Sequence, residues 1–338
     1  MFAIAAGQPA DVRFVFNFLP FLLAFPVYGV GRQLAGERDV AEMIAGLFLA
    51  GTLIAVCVGL FDVLVRGMYR SEGFYSGALV IARTGLVFGF LAAAGFFLSD
   101  GKRRYVFLSG PVLALVCIYL AGARGALLIV PFLSVLFLVF VVGAAPARQR
   151  MRLAVRLALM LIAGGLGVAV LIGGSRVSEA FTSVAHVLSG GAVDDAIRDR
   201  LDFYSTGWTL FMQAPWGGYG WAGIPRMAFT ILDPDAYTAY SLDFFDFHND
   251  FLNFAVAAGV PGVAALLGFF VAPILSALRS GNDRLRPVRL YGVLVIVITY
   301  VLAGLTDISL GFDRFTATYA FSVAVVLAVF RLPASPRS

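Results

Sequence analysis

Between Val106 and Ala145 the chain runs for 40 residues with a single charged side chain, Arg124. As one helix that run would reach about 60 Å, twice the roughly 30 Å hydrocarbon core of a bilayer. It must double back, and Gly122-Ala123-Arg124-Gly125 is the place. Glycine permits the tight reversal, and the arginine then lies at a membrane surface rather than at its centre. The same reading along the chain gives spans near 14–31, 41–65, 78–98, 106–122, 126–145, 157–174, 251–278, 290–306 and 315–330. Hydrophobic residues make up 60% of the chain and charged ones 13%, with a mean hydropathy of +0.91, which does not suit a soluble surface. The expectation is an all-α polytopic membrane protein of about nine transmembrane helices, a single transmembrane domain over 1–338.

The charges set an orientation. Lys102-Arg103-Arg104, then Arg148, Arg150, Arg152 and Arg156, then Arg279, Arg284, Arg286 and Arg289 all fall on one side of the expected spans. By the positive-inside rule that side is cytoplasmic. The net charge of +5 therefore reports topology, and no nucleic-acid partner is expected. The 66–77 loop, the Arg124 turn, the long loop 175–247 and the 307–314 segment share the other face. Nine spans counted back from a cytoplasmic C-terminus put Met1 outside, yet no cleavable signal peptide is recognisable. Either further spans precede this sequence or the count is one too many. Cys57 and Cys117 sit in apolar runs and read as small core hydrophobes, so neither a disulfide framework nor Cys/His metal spacing is present, and no metal or cofactor is expected.

The loop at 175–247, between the sixth and seventh spans, has 73 residues and is too long for a plain connection. Short helices lying on the membrane are expected in it. The composition suits a helix over 194–212 until Gly207, whereas 215–223, with four glycines and two tryptophans, must be irregular. Where the loop re-enters an apolar helix stands His248, whose type titrates near neutrality and so suits proton chemistry. The plainer alternative is a histidine hydrogen-bonded to Asp246 or Asp250 at a helix start, with Asn249 or Asp250 as cap. His186 has no comparable context. Arg124 and Arg176 have an alternative as snorkelling interfacial cations, and Arg200 as a local ion pair with Asp199 or Asp202. Asp62 and Arg83, near the outer ends of two spans, are expected to pair with each other, the alternative being that they mark the lipid channel.

Several of these elements carry a resemblance. Ala123-Arg124-Gly125-Ala126 resembles a Ser-Arg-Gly-Ala family element, Arg200 is followed by Pro215, Gly218 and Gly220, and His248-Asn249 is followed by Gly259 and Gly262. Arg70-Ser71-Glu72-Gly73 resembles a further recurrent element. With them the chain resembles, over nearly its whole length, the O-antigen ligase and O-antigen polymerase superfamily of polyprenyl-diphosphate-dependent bacterial inner-membrane glycosyltransferases. The resemblance implies a GT-C type architecture and a periplasmic 175–247 loop carrying part of the active site. It implies metal-independent transfer of a glycan from undecaprenyl diphosphate to a hydroxyl of lipid A core oligosaccharide. The alternatives are a repeat-unit polymerase of O-antigen or exopolysaccharide and a protein O-oligosaccharyltransferase. By similarity His248 is the base and Arg124, Arg176 and Arg200 hold the diphosphate, with Arg70, Asn249, Asp250, Gly218 and Gly220 in support. The glycine run at 217–220 lacks the lysine and following helix of a nucleotide loop and reads as a turn beside the glycan path. A polysaccharide transporter or flippase is the reading from another class. It would call for internal repeats, and none is evident.

Overall fold

The computed structural model describes residues 11–35, 38–74, 77–152, 154, 155, 159, 195–233, 245–281 and 283–331. Among them the ordered elements are helical. They are α1 (Asp11–Phe16), α2 (Leu19–Leu34), α3 (Arg38–Leu60, closing in a π-helical turn, Phe61–Val65), α4 (Ala78–Ala92) and its short continuation α5 (Gly95–Leu98). A 3₁₀ segment, Arg103–Leu108, leads into α6 (Ser109–Ala121), α7 (Arg124–Leu127) and α8 (Val130–Ala144). Then follow α9 (Asp195–Gln213), α10 (Gly223–Ala228), α11 (Asp250–Arg279), α12 (Arg286–Gly304) and α13 (Asp313–Val329).

Seven helical stretches among the described residues are long and apolar enough to cross a membrane, and they coincide with seven expected spans. The expected span 157–174 lies almost wholly outside the described residues. The ninth, 315–330, is α13, whose 17 residues are at the lower limit of a crossing helix. The chain is thus a multi-pass, all-helical membrane protein in its described part. The expected reversal is present: Gly122 takes a left-handed conformation (φ 64°) after α6, and its amide closes onto the carbonyls of Ile118 and Tyr119.

Small residues set the helix packing. A Cβ on Gly89 of α4 would lie 2.5 Å from the Gly110 carbonyl oxygen of α6, so the two backbones touch, as small-residue interfaces in membranes allow. α4 is the most enclosed of the seven stretches. Cys117 packs into this interface, whereas Cys57 lies on the outer surface of α3 rather than in the core. At one end of the bundle Arg103 pairs with Glu42 at 3.0 Å. There too, buried Arg289 bonds Asp283 at 3.0 Å and the Phe330 carbonyl at 2.7 Å, tying the last helix to the α11–α12 turn. The other end gathers the 66–74 loop, the Arg124 turn, α9, α10 and the 305–312 segment.

α11 is not one rod. Ala258 (φ −143°, ψ 15°) and Gly259 (φ 63°, ψ −153°) break it, and Pro261 has no N–H to give the Ala257 carbonyl. The freed groups find partners in the Pro215–Gly220 turn: Tyr219 N donates to Val256 O (2.8 Å), Gly220 N to Ala257 O (2.9 Å), and Val260 N to Pro215 O (2.7 Å). A side chain at Gly218 would collide with the Ala257 carbonyl, and one at Gly259 with that of Pro215. Glycine is needed at both for close approach and for φ above +60°.

Ahead of the break, Val256 and Ala257 join Phe203, Leu210, Ile224, Ala228, Phe245 and Phe247 in a second hydrophobic core. α9 continues to Gln213, past the end expected at Gly207. Gly207 lies 3.3 Å, measured from a Cβ added there, from Phe247 and Leu252, so it is a point of close approach to that core rather than a helix end.

Candidate functional site

His248 is held in the left-handed region, φ 48°, which costs a non-glycine residue about 1–2 kcal/mol. The conformation is fixed from both sides. Its amide donates to Asp246 Oδ1 at 2.6 Å, and Asn253 Oδ1 accepts from the Phe247 amide at 3.0 Å. Asn249 then caps α11, accepting from the Leu252 amide at 3.2 Å, and its own Nδ2 donates to the Leu305 carbonyl at 3.2 Å. The Tyr204 hydroxyl of α9 donates to the same carbonyl at 3.1 Å. Loop, α9 and the end of α12 are thereby sewn together around one imidazole.

That imidazole faces a carboxylate. His248 Nδ1 lies 3.2 Å from Asp307 Oδ1 and 3.6 Å from Asp246 Oδ1. The hydrogen bond to Asp307 holds the His248 pKa above its ordinary value, aided by the Asp246 charge and opposed by burial and by the Arg200 charge. Burial pushes the Asp246 and Tyr204 pKa values up. With Nδ1 turned to Asp307, the ring presents Nε2 outward, and its side chain is 44% exposed. This is the geometry of a base whose tautomer is fixed by a carboxylate behind it.

Asp307 is itself anchored. Oδ1 also accepts from the Ile308 amide at 2.9 Å, and Oδ2 lies 3.4 Å from Arg83 Nη2. Arg83, 5% exposed, also donates to the Ile308 carbonyl (2.6 Å) and Ser309 Oγ (2.9 Å), and its guanidinium sits 4.1 Å over the Phe315 ring. Asp250 does not touch the imidazole. It is turned inward, fully buried, and accepts from the Ser309 amide (2.8 Å) and the Leu310 amide (3.0 Å), so it shapes the segment that carries Asp307.

The expected Asp62–Arg83 pair is absent. Asp62 bonds Arg66 one helical turn on (2.6 Å), Ser71 Oγ (3.0 Å) and the amides of Glu72 (3.0 Å) and Gly73 (2.8 Å), folding the loop back on itself. The two residues found nearer partners on either side. The Ser71 amide donates to the Leu120 carbonyl at 2.8 Å, which sets Arg70 beside the end of α6 and the Arg124 turn. Arg70 is exposed, 4.0 Å from Glu72.

The Arg124 turn meets the site through Gly125, where an added Cβ would lie 3.5 Å from Thr306 Oγ1, next to Asp307. Arg200 projects from α9 on its exposed surface. No ion pair between it and Asp199 or Asp202 is present among the described residues, and its charge acts on His248 and Tyr204. The structure thus brings together His248, Asn249, Arg200 and the backbone at Arg124. Asp250 stands one layer behind, and Gly218 and Gly220 belong to the turn that fills the α11 break. Arg176 and His186 lie outside the described residues. Asp307 is a site residue that sequence reasoning missed, and Arg83 one that it gave to Asp62. The signal was available for the first: Asp307 follows a span end on the face assigned to the long loop.

No curated protein matches the chain. A family model described as O-antigen ligase matches residues 110–267. The matched stretch takes in the Arg124 turn, Arg200, the Pro215–Gly220 turn, His248 and the broken helix, and stops short of Asp307. Over that stretch the chain is similar to the O-antigen ligase superfamily.

Proposed function

We propose that the chain is a glycosyltransferase of the bacterial inner membrane, moving a glycan from undecaprenyl diphosphate to a hydroxyl of lipid A core oligosaccharide on the periplasmic side. The observation that carries it is the half-exposed His248 with Asp307 behind it, beside Arg200 and the Arg124 turn. His248 Nε2 takes the proton of the acceptor hydroxyl as its oxygen attacks the anomeric carbon. The bond from that carbon to the diphosphate oxygen breaks, and the lipid diphosphate leaves with the electron pair. The leaving group gains charge in the transition state, where fixed cations act most strongly. Arg124, Arg176 and Arg200 are assigned to it because a guanidinium matches phosphate oxygens bidentately and stays charged at every relevant pH. Arg70 lies on the loop tied to the same turn and is assigned a supporting contact.

In this reading the reaction is metal-independent, since the arginines supply the charge a divalent ion would otherwise bring. The periplasmic assignment rests on the arginine-rich opposite end of the bundle. The test is glycan transfer from an undecaprenyl-diphosphate donor in proteoliposomes with EDTA present. His248→Ala should lose about 100- to 10,000-fold in rate while donor binding persists. Activity abolished by EDTA and restored by magnesium would sink metal independence, and a fully active His248→Ala protein would sink the base. The acceptor is read from a deletion strain: loss of all long chains with accumulated lipid-linked polymer marks the ligase, single repeat units on the core a polymerase.

A further inference from the structure

At the arginine-rich end, far from His248, a cavity of about 610 Å³ opens between the 96–104 segment, the last turns of α8 and the start of α12. Its inner wall is apolar, built from Phe96, Phe97 and Phe140. Two polar groups of the lining residues have no hydrogen-bond partner and almost no exposed surface: Ser99 Oγ, on a residue 5% exposed, and Arg104 Nε. A buried polar group left unpaired is unfavourable, so an acceptor that reaches both through a small side-chain adjustment would be held there. Arg104 is pre-positioned for it. Its guanidinium lies 5.0 Å over the Phe96 ring and 4.9 Å over that of Tyr105, and Nη2 donates to the Tyr105 hydroxyl at 2.8 Å. Arg284 stands at the mouth, and Asp100, also on the wall, is already engaged by another group.

The chemistry of the mouth is that of a phosphate oxygen: a guanidinium edge, a hydroxyl and a second cation. What distinguishes a lipid from a soluble phosphate is the way out. Val139 lines the cavity and continues into Val135 and Phe132, which share one face of α8 at i, i−4 and i−7 and are all more than half exposed. This stripe runs from the cavity toward the middle of the bilayer, a track for acyl chains. We propose that the cavity binds the headgroup of one anionic diacyl phospholipid, its phosphate on Arg104 and Ser99 with Arg284 closing over it and its chains along the α8 stripe.

The test uses the full chain purified in mild detergent, with lipid retention read by native mass spectrometry and thermal unfolding followed in parallel. Wild type should retain one phosphatidylglycerol, in preference to phosphatidylcholine, and gain thermal stability from it. Arg104→Gln, Ser99→Val and Gly143→Trp should each weaken retention by about tenfold or more. Gly143 lines the cavity with nothing within 4 Å of its Cβ position, so a bulky side chain started there can occupy the site. Arg279→Gln, an exposed arginine at the same end that does not line the cavity, should change nothing. The proposal is overturned by equal retention of phosphatidylcholine, by an equal loss in Arg279→Gln, by stabilisation from inorganic phosphate alone, or by a wild type that keeps no lipid. None of these readouts depends on glycan transfer.

Discussion

Replacing Asp307 by asparagine changes one oxygen into an amide nitrogen, and the structure leaves that nitrogen no good place. The Oδ1 position accepts from His248 Nδ1 and the Ile308 amide, and the Oδ2 position faces Arg83 Nη2. If the amide nitrogen takes the Oδ2 position, it points donors at a buried cation. Breaking such a charge-assisted contact typically costs about 2–5 kcal/mol, an upper bound here because Arg83 keeps Ile308, Ser309 and Phe315. If it takes the Oδ1 position, it donates to Nδ1 and drives the imidazole proton to Nε2. The outward nitrogen then has no lone pair for the acceptor hydroxyl. The second arrangement is cheaper, since it moves only one proton and opposes one amide. Asp307→Asn should therefore insert and fold, but lose about 100- to 10,000-fold in transfer rate, the range of general-base catalysis.

The pH dependence carries a second signature. A base must be neutral to act, so the wild-type rate should rise with pH through a His248 pKa above the ordinary histidine value. Asp307→Asn removes the chief cause of that elevation and should move the acid limb to lower pH. In a His186→Ala background His248 is the only histidine, so proton NMR in micelles reads its titration without any substrate. Transfer within threefold of wild type, or an unmoved titration, would refute this account of the dyad.

Arg200→Lys keeps the charge but not the fork, and transfer should fall about 30-fold or more with insertion unchanged; wild-type kinetics would return Arg200 to a surface cation. In a background lacking Cys57 and Cys117, Ser205→Cys should react with a membrane-impermeant thiol reagent in spheroplasts and Ser280→Cys should not. The reverse pattern would overturn the periplasmic assignment. Gly218→Ala meets both left-handed strain, about 1–2 kcal/mol, and collision with the Ala257 carbonyl, about 1–3 kcal/mol more. Thermal unfolding in detergent should show a drop of several degrees, and an unchanged midpoint would mean the turn does not hold the α11 break.

What could be read from the sequence follows from what hydropathy senses. Spans are legible because crossing a bilayer is a one-dimensional demand on length and polarity, and the Gly122–Gly125 reversal follows from the same arithmetic. His248 was legible because a titratable residue at a loop–helix junction is conspicuous without any partner. Partners need helix rotation and neighbour order, which hydropathy does not carry. Asp62 and Arg83 are at similar depth on successive spans, so depth alone suggested a pair. The structure instead gives Asp62 to its own loop and Arg83 to a segment 224 residues away.

The α11 break is the intermediate case. Gly259-Val260-Pro261-Gly262 announces a helix that cannot continue, since Pro261 leaves the Ala257 carbonyl without a donor. A freed carbonyl at membrane depth must find a partner, and glycines that let another backbone come close were the place to look. Pro215–Gly220 was such a place, already marked as a turn. The same accounting applied to charge reaches Asp307. A buried arginine on a span demands an acceptor at its own depth, and once Asp62 is taken by its loop, Asp307 is an acid at the right end of the bundle. The route to the carboxylate behind His248 thus runs through Arg83, a residue with no motif around it.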